Sequence, residues 1–177
     1  MIGYRHVDRR FPFLWEDEGQ PPGRWHSEGE GPVHYFADTA DGAWAEFLRH
    51  EEIRDREDLP TIRRALWAVD LGEPPAEKPA LPARTLIDAP RSYAVCQRES
   101  RRLRRRGALG AVAPSAALLA GGARGHRTHR GLQPGPYRDG RVVVLFGPRP
   151  DLVGWCATAA GRPREDLLPR VRHYRRR

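Results

Sequence analysis

Apolar and polar positions alternate clearly in Pro32-Val33-His34-Tyr35-Phe36-Ala37, so a strand is predicted there with Val33, Tyr35 and Ala37 on one face. Asp38 or Thr39 then supplies an N-cap, and the period lengthens to that of a helix over about 40–54. Ala43, Trp44, Phe47 and Leu48 form the apolar stripe of that helix. Glu46 and His50, four residues apart, run together along the edge of the stripe, a placement from which Glu46 can point into a cleft.

Elsewhere the pattern is shorter-ranged. A strand is predicted over 2–8, then a loop from Arg10 to Pro22 in which Pro12, Gly19, Pro21 and Pro22 forbid regular structure. Residues 55–63 read as a loop or short turn, 65–71 as a strand, and Pro74 to Pro82 as a surface connection. A second helix is predicted over about 91–106, closed by Gly107 in the left-handed cap conformation. Ala108 to Ala113 reads as buried, Pro114-Ser115 breaks that run, and Gly121 to Gly140, rich in Gly, Arg and His, reads as a mobile loop. Arg141 to Phe146 is the clearest strand, and a short helix over 164–171 precedes a basic tail at about 170–177. Short strands with few helices, and no repeat, indicate a mixed α+β fold in one compact domain, because 177 residues support one core. No glycine-rich loop stands in the strand-loop-helix context of a dinucleotide fingerprint, which excludes a Rossmann dehydrogenase.

Composition changes this picture in two ways. With 39% hydrophobic residues the chain can bury a core, yet no run approaches the roughly 18 apolar residues of a membrane span. The N-terminus also lacks the apolar core of a signal peptide, so a cytoplasmic protein without a membrane partner is expected. The net charge of +8 and pI near 10.4 point toward a polyanion such as nucleic acid. Lys78 is the only lysine, however, so 30 of the 31 basic residues are arginine, and with abundant Ala, Gly and Pro this has the look of GC-rich codon usage. Cys96 and Cys156 lack metal-ligand spacing and read as plain buried thiols. His26, His126 and His129 read as solvated loop histidines, and no metal site is expected.

The residues suited to chemistry are Gly23-Arg24-Trp25-His26, Tyr35, Glu46 and Ala113-Pro114-Ser115-Ala116. Arg24 precedes Tyr35 by eleven residues and Tyr35 precedes Glu46 by eleven, so a loop, a strand and a helix each bring one polar group. This arrangement resembles the RES domain, a family named for an Arg, a Glu and a Ser. Gly23 through His50 carries the GRW segment, the apolar strand with its Tyr, and the helix with its Glu. Tyr4-Arg5 resembles the family's opening arginine and Ala113 to Ala116 its serine motif, so the likeness spans most of the chain. The chain departs from the pattern at His26, where the family commonly has Asn, and at Leu132-Gln133-Pro134-Gly135-Pro136, where an Asn-Pro near a His is usual.

The resemblance implies an ADP-ribosyltransferase-like mixed sheet with flanking helices, and cleavage of the nicotinamide–ribose bond of NAD, with NAD as substrate and no separate cofactor. It also implies a toxin whose partner is an antitoxin of helix-turn-helix type. The residue types suit that reaction: charge builds on the ribose as the bond breaks, and a carboxylate, Glu46, stabilises it. Arg24 and Arg5 can hold pyrophosphate oxygens. Tyr35 can stack on nicotinamide with its hydroxyl still available, and Ser115 can donate to a ribose or phosphate oxygen. Tyr4 and Trp25 complete the expected binding set. The acceptor of ADP-ribose remains open between water, phosphate and a protein, the last being mono-ADP-ribosyl transfer. A reading of another class is a non-enzymatic nucleic-acid module using Arg98 to Arg106 and the tail, although charge would surround the whole helix without forming one recognition face.

Overall fold

The computed structural model describes the chain apart from residues 15, 17, 18, 74–76, 129 and 175–177. His129, part of the proline-rich stretch and the last three tail residues thus lie outside the described residues. Among the described residues, eight strands form a six-stranded sheet and a separate pair. They are β1 (Ile2–Val7), β2 (Val33–Ala37), β3 (Arg64–Asp70), β4 (Gly110–Pro114), β5 (Ala123–Thr128), β6 (Leu132–Arg138), β7 (Arg141–Phe146) and β8 (Val153–Gly161). The large sheet runs β4-β7-β2-β1-β3-β8, and β5 pairs with β6. Every described pairing is antiparallel, where a mixed sheet was expected.

Among the described residues three helices, α1 (Ala40–His50), α2 (Ala83–Leu86) and α3 (Tyr93–Arg105), join three 3-10 turns, the longest being Arg56–Thr61 and Glu165–Arg170. The Thr39 hydroxyl accepts the Gly42 amide at 3.0 Å and starts α1. The helix stops at His50, four residues before the predicted end. Glu51 and Glu52 would put two negative charges on the negative end of the helix dipole, and Glu52 instead turns to a left-handed φ of 54°. Gly107, at φ 81°, ends α3 in the predicted left-handed conformation.

Alternation along β2 sorts the core. Val33 and Ala37 belong to clusters under α3 and α1 respectively, so both helices lie on one face of the sheet. Phe36 faces the other way, with Val69, Val143 and Leu145, and is covered by Phe13 and Leu14 of the loop that was predicted to lack regular structure. Gly3 is required by close approach: a Cβ there would lie 2.7 Å from a Leu71 methyl and 2.9 Å from the Phe36 Cβ. The strand pairings tighten everywhere except in the centre. β1 pairs with β3 over six residues and β2 with β7 over five, but β1 and β2 share only Tyr4↔Ala37. The sheet is therefore split between β1 and β2, beneath α1.

Three expectations are corrected. Residues 121–140 hold the hairpin β5–β6 where a loop was expected; it is rich in polar residues and has little apolar alternation to announce it, but its backbone pairs over most of its length. The Asp38 carboxylate anchors the hairpin's base, taking Arg138 and also the amide and Nε of Arg141 at 3.0 and 3.3 Å. β8 was not anticipated, because Val-Gly-Trp-Cys-Ala-Thr-Ala-Ala-Gly shows no clean period; it is an edge strand recruited by β3 across a bulge. Cys96 is buried as expected, whereas Cys156 is exposed on that edge strand.

Candidate active site

A cleft of about 370 Å³ opens over the split in the sheet, within the range of ligand pockets. One lip is β1, with Tyr4, Arg5 and His6; the other is β2, with Tyr35 and Ala37. The loop 20–26 closes one side, α1 brings Glu46, Arg49 and His50, and Tyr93 and Tyr174 arrive from α3 and the C-terminal segment. Six of the seven residues singled out in the sequence, Tyr4, Arg5, Arg24, Trp25, Tyr35 and Glu46, line this one cavity, with Ser115 immediately behind Glu46.

Glu46 sits where the helix edge meets the cavity. Burial raises its carboxyl pKa above the ordinary value; Arg49, His50, Arg24 and the Ser115 hydroxyl beside it offset part of that rise. Ser115 is buried, its Oγ 3.4 Å from the Glu46 carboxylate, and it also accepts the amides of Ala117 and Leu118 at 3.2 Å. Its described contacts thus orient Glu46 and cap the turn behind it. Arg5 presents a buried Nη1 with no hydrogen-bond partner among the described residues, and desolvation lowers its pKa. His6, pushed down to about 3 by burial and by the adjacent Arg64, Arg5 and His50, is an uncharged wall stacked against Trp44.

Three residues stand differently from the expectation. Arg24 spends its terminal nitrogens on protein: Nη2 donates to the Asp88 carbonyl at 2.7 Å, Nη1 to Ser92 Oγ at 3.1 Å, and the guanidinium lies 4.8 Å from the Tyr93 ring centre. It clamps the approach to α3 onto the GRW loop. The Tyr35 hydroxyl is likewise occupied, accepting the Trp25 amide at 3.1 Å and bonding His26 Nδ1 at 2.9 Å. Burial drives the Tyr35 pKa upward, so this hydroxyl stays protonated. The Trp25 side chain is buried in the cluster under α3, and His26, 2% exposed, is no solvated loop histidine. Its other nitrogen meets the Pro21 carbonyl at 2.9 Å. The glycine of the GRW segment follows from the same knot, since a Cβ on Gly23 would fall 2.7 Å from the Tyr35 hydroxyl. His126 is exposed, as expected.

The knot makes a test. Tyr35→Phe leaves the buried Trp25 amide without its acceptor, a loss of about 1–3 kcal/mol. At about 2–4 °C per kcal/mol for a chain of this size, the melting temperature should fall by several degrees. An unchanged melting temperature would show that the hydroxyl is not what holds the loop.

Arg49, Tyr93 and Tyr174 were not found in the sequence. The burial of Arg49 one turn after Glu46 has no local signal, and Tyr93 and Tyr174, which line the same cavity, meet only through folding. Among the described residues no group of His, Cys, Asp and Glu is placed to hold a metal ion, and no helix is long and apolar enough to cross a membrane. Three of the six arginines from Arg98 to Arg106 are engaged at home, while Arg98, Arg105 and Arg106 are exposed. Arg101 pairs with Glu30 at 2.8 Å, Arg102 with Glu99 at 2.7 Å, and Arg104 lies 4.6 Å from the Phe146 ring centre and bonds the Glu30 carbonyl. Arginines so held present little free charge to a phosphate backbone.

The fold is shared with a solved structure. A chain of the MbcT–MbcA toxin–antitoxin complex of M. tuberculosis superposes with a TM-score of 0.54 at 16% identity, over 89% of this chain and 84% of that one. No curated protein matches the chain in sequence. The RES domain family profile matches residues 4–154, a span that begins at the β1 lip and takes in Arg5, Arg24, Tyr35, Glu46 and Ser115. The chain belongs to the RES domain family.

Proposed function

We propose that this RES-domain protein is a toxin that consumes NAD by breaking the bond between nicotinamide and ribose. The observation that carries the reading is one cleft, at the split of the sheet, that holds a desolvated carboxylate, Glu46, together with a buried guanidinium nitrogen of Arg5 that has no partner among the described residues. Such a pair fits a substrate that develops positive charge at one point and carries negative charge at another. As the C–N bond breaks, nicotinamide leaves with the bonding electrons as a neutral amide, and the positive charge left on the ribose is stabilised by the Glu46 carboxylate. A water or phosphate oxygen then bonds the ribose carbon; with water, its proton passes to solvent and ADP-ribose is the product. Arg5 takes the anionic end of the substrate.

Arg24, Tyr35 and Ser115 serve this site at one remove, through the loop, the strand and the carboxylate that they fix. Tyr4, Tyr93 and Tyr174 supply aromatic walls. An antitoxin of helix-turn-helix type would cover the cleft, and toxin and partner would meet in the cytoplasm, where NAD is. Transfer of ADP-ribose to a protein is the alternative outcome of the same chemistry. Purified protein should convert NAD to equal amounts of nicotinamide and an ADP-ribose product whose mass tells water from phosphate. Intact NAD after incubation with folded protein would overturn the reading, and protein gaining the mass of ADP-ribose would replace hydrolysis by transfer.

A further inference from the structure

Arg49 is 3% exposed, and its hydrogen bonds all run to main-chain carbonyls. Nη1 donates to Ala116 and, at 2.8 Å, to Arg172; Nη2 donates to Asp88 at 3.1 Å and Ile87 at 3.4 Å. The Tyr174 ring centre lies 4.4 Å from the guanidinium. One side chain thus ties α1 to the turn after β4, to the segment after α2 and to the C-terminal segment. None of these partners is a carboxylate, so the buried positive charge has dipoles around it but no direct ion pair among the described residues. A buried charge without a counter-charge is costly. Glu46 lies three residues earlier, on the same side of α1.

We propose that Arg49 is the positioning residue of this cleft, serving as a buried positive charge that favours the ionised form of Glu46 while locking in register the three segments that surround it. Only the catalytic consequence rests on the NAD reading; the pairing of charges does not. The other groups facing Glu46 are His50 on its own helix, Arg24 from the GRW loop, Ser115 at the end of β4 and Tyr93 on α3, with Tyr4, Arg5, His6 and Tyr174 lining the same cavity. Among the charges, Arg49 opposes the effect of burial on Glu46 more than His50 does, and His50 more than Arg24. Arg24 and Arg49 both donate to the Asp88 carbonyl, so the two cations are held on one backbone oxygen and act on Glu46 together.

The test follows the Glu46 side-chain carboxyl by carbon-13 NMR across pH, assigned through Glu46→Gln, in wild type, Arg49→Gln and His50→Gln, without NAD. Arg49→Gln should move the Glu46 midpoint up by about one pH unit or more, the size of effect that an adjacent opposite charge exerts. His50→Gln should move it less. If NAD is cleaved, the acid limb of kcat should move with the midpoint while KM changes little. An unmoved midpoint in folded Arg49→Gln, or a larger shift from His50→Gln, overturns the proposal. Should Arg49→Gln fail to fold, Arg49→Lys decides, because it keeps the charge but cannot span the same carbonyls. The midpoint should then stay close to wild type while the melting temperature falls, and a midpoint raised by a full pH unit overturns the proposal. Because the titration needs no substrate, its outcome stands apart from whether the protein consumes NAD.

Discussion

Glu46→Gln is expected to remove NAD cleavage, by a factor of at least about a hundred, and at the same time to raise the melting temperature at pH 7. The loss follows from chemistry: the neutral amide cannot stabilise a cationic ribose, and removing one preorganised electrostatic partner in a desolvated site typically costs about 10²–10³ in rate. The gain follows from burial. Glu46 has its pKa raised in the folded chain even with the attraction of Arg49 counted, so the folded state binds a proton there more tightly than the unfolded state does. The ionised carboxylate therefore costs stability at neutral pH, and that cost fades as pH falls through the raised folded-state value. The glutamine keeps shape and can still accept from Ser115. Thermal melts at pH 7.5 and pH 4.5 check the sign: the advantage of the variant should be largest at the higher pH and shrink at the lower. A variant less stable than wild type at pH 7.5 would mean that Glu46 is a net contributor to the fold, and the picture of a strained carboxylate would be wrong.

That opposition between stability and chemistry explains which parts of the molecule were legible in the sequence. β2 and α1 are adjacent in the chain and carry clean periods, so the placing of Tyr35 and Glu46 on neighbouring elements was read from residues 32–50 alone. The buried face of α1 was equally plain, with Ala43, Trp44, Phe47 and Leu48 all in the core. What the period could not carry was the fate of polar atoms. The Tyr35 hydroxyl looks free in a strand, and only the return of the GRW loop over β2 shows it to be consumed by Trp25 and His26. Arg24 looks like a ligand-binding arginine until the segment before α3 supplies Ser92 and Asp88, more than sixty residues on. Arg49 reads as a favourable cation in the last turn of a helix. Its burial depends on Ala116 and Arg172, whose carbonyls reach it from the far side of the sheet order and from the end of the chain. β5, β6 and β8 escaped for a different reason. A strand exposed on its faces or at a sheet edge needs no apolar alternation, because backbone pairing with a neighbour holds it.

Arg5→Met carries the second large effect, and it separates binding from chemistry. Arg5 lies in β1 opposite Trp67 of β3, on the lip of the split, with Nη1 shielded from solvent and without a hydrogen-bond partner among the described residues. Desolvation lowers its pKa in the folded chain, so the charge costs stability at every pH at which arginine is ionised, which is every working pH. Methionine keeps the apolar stem and removes the charge, so the unliganded variant should melt at a higher temperature than wild type. An anionic ligand supplies what the protein withholds. A hydrogen bond from this nitrogen to a phosphate or ribose oxygen is worth about 1.5–3 kcal/mol, which corresponds to a ten- to hundredfold weakening of ADP-ribose affinity in the variant. Calorimetric titration of ADP-ribose reads that loss directly, and KM for NAD should rise with it while kcat changes far less. Because the ligand relieves the buried charge only in wild type, saturating ADP-ribose should raise the wild-type melting temperature more than that of the variant, reversing their order. Equal affinity in the two proteins would place the anion elsewhere in the cleft, and a variant that melts lower without ligand would show that Arg5 holds the split sheet together.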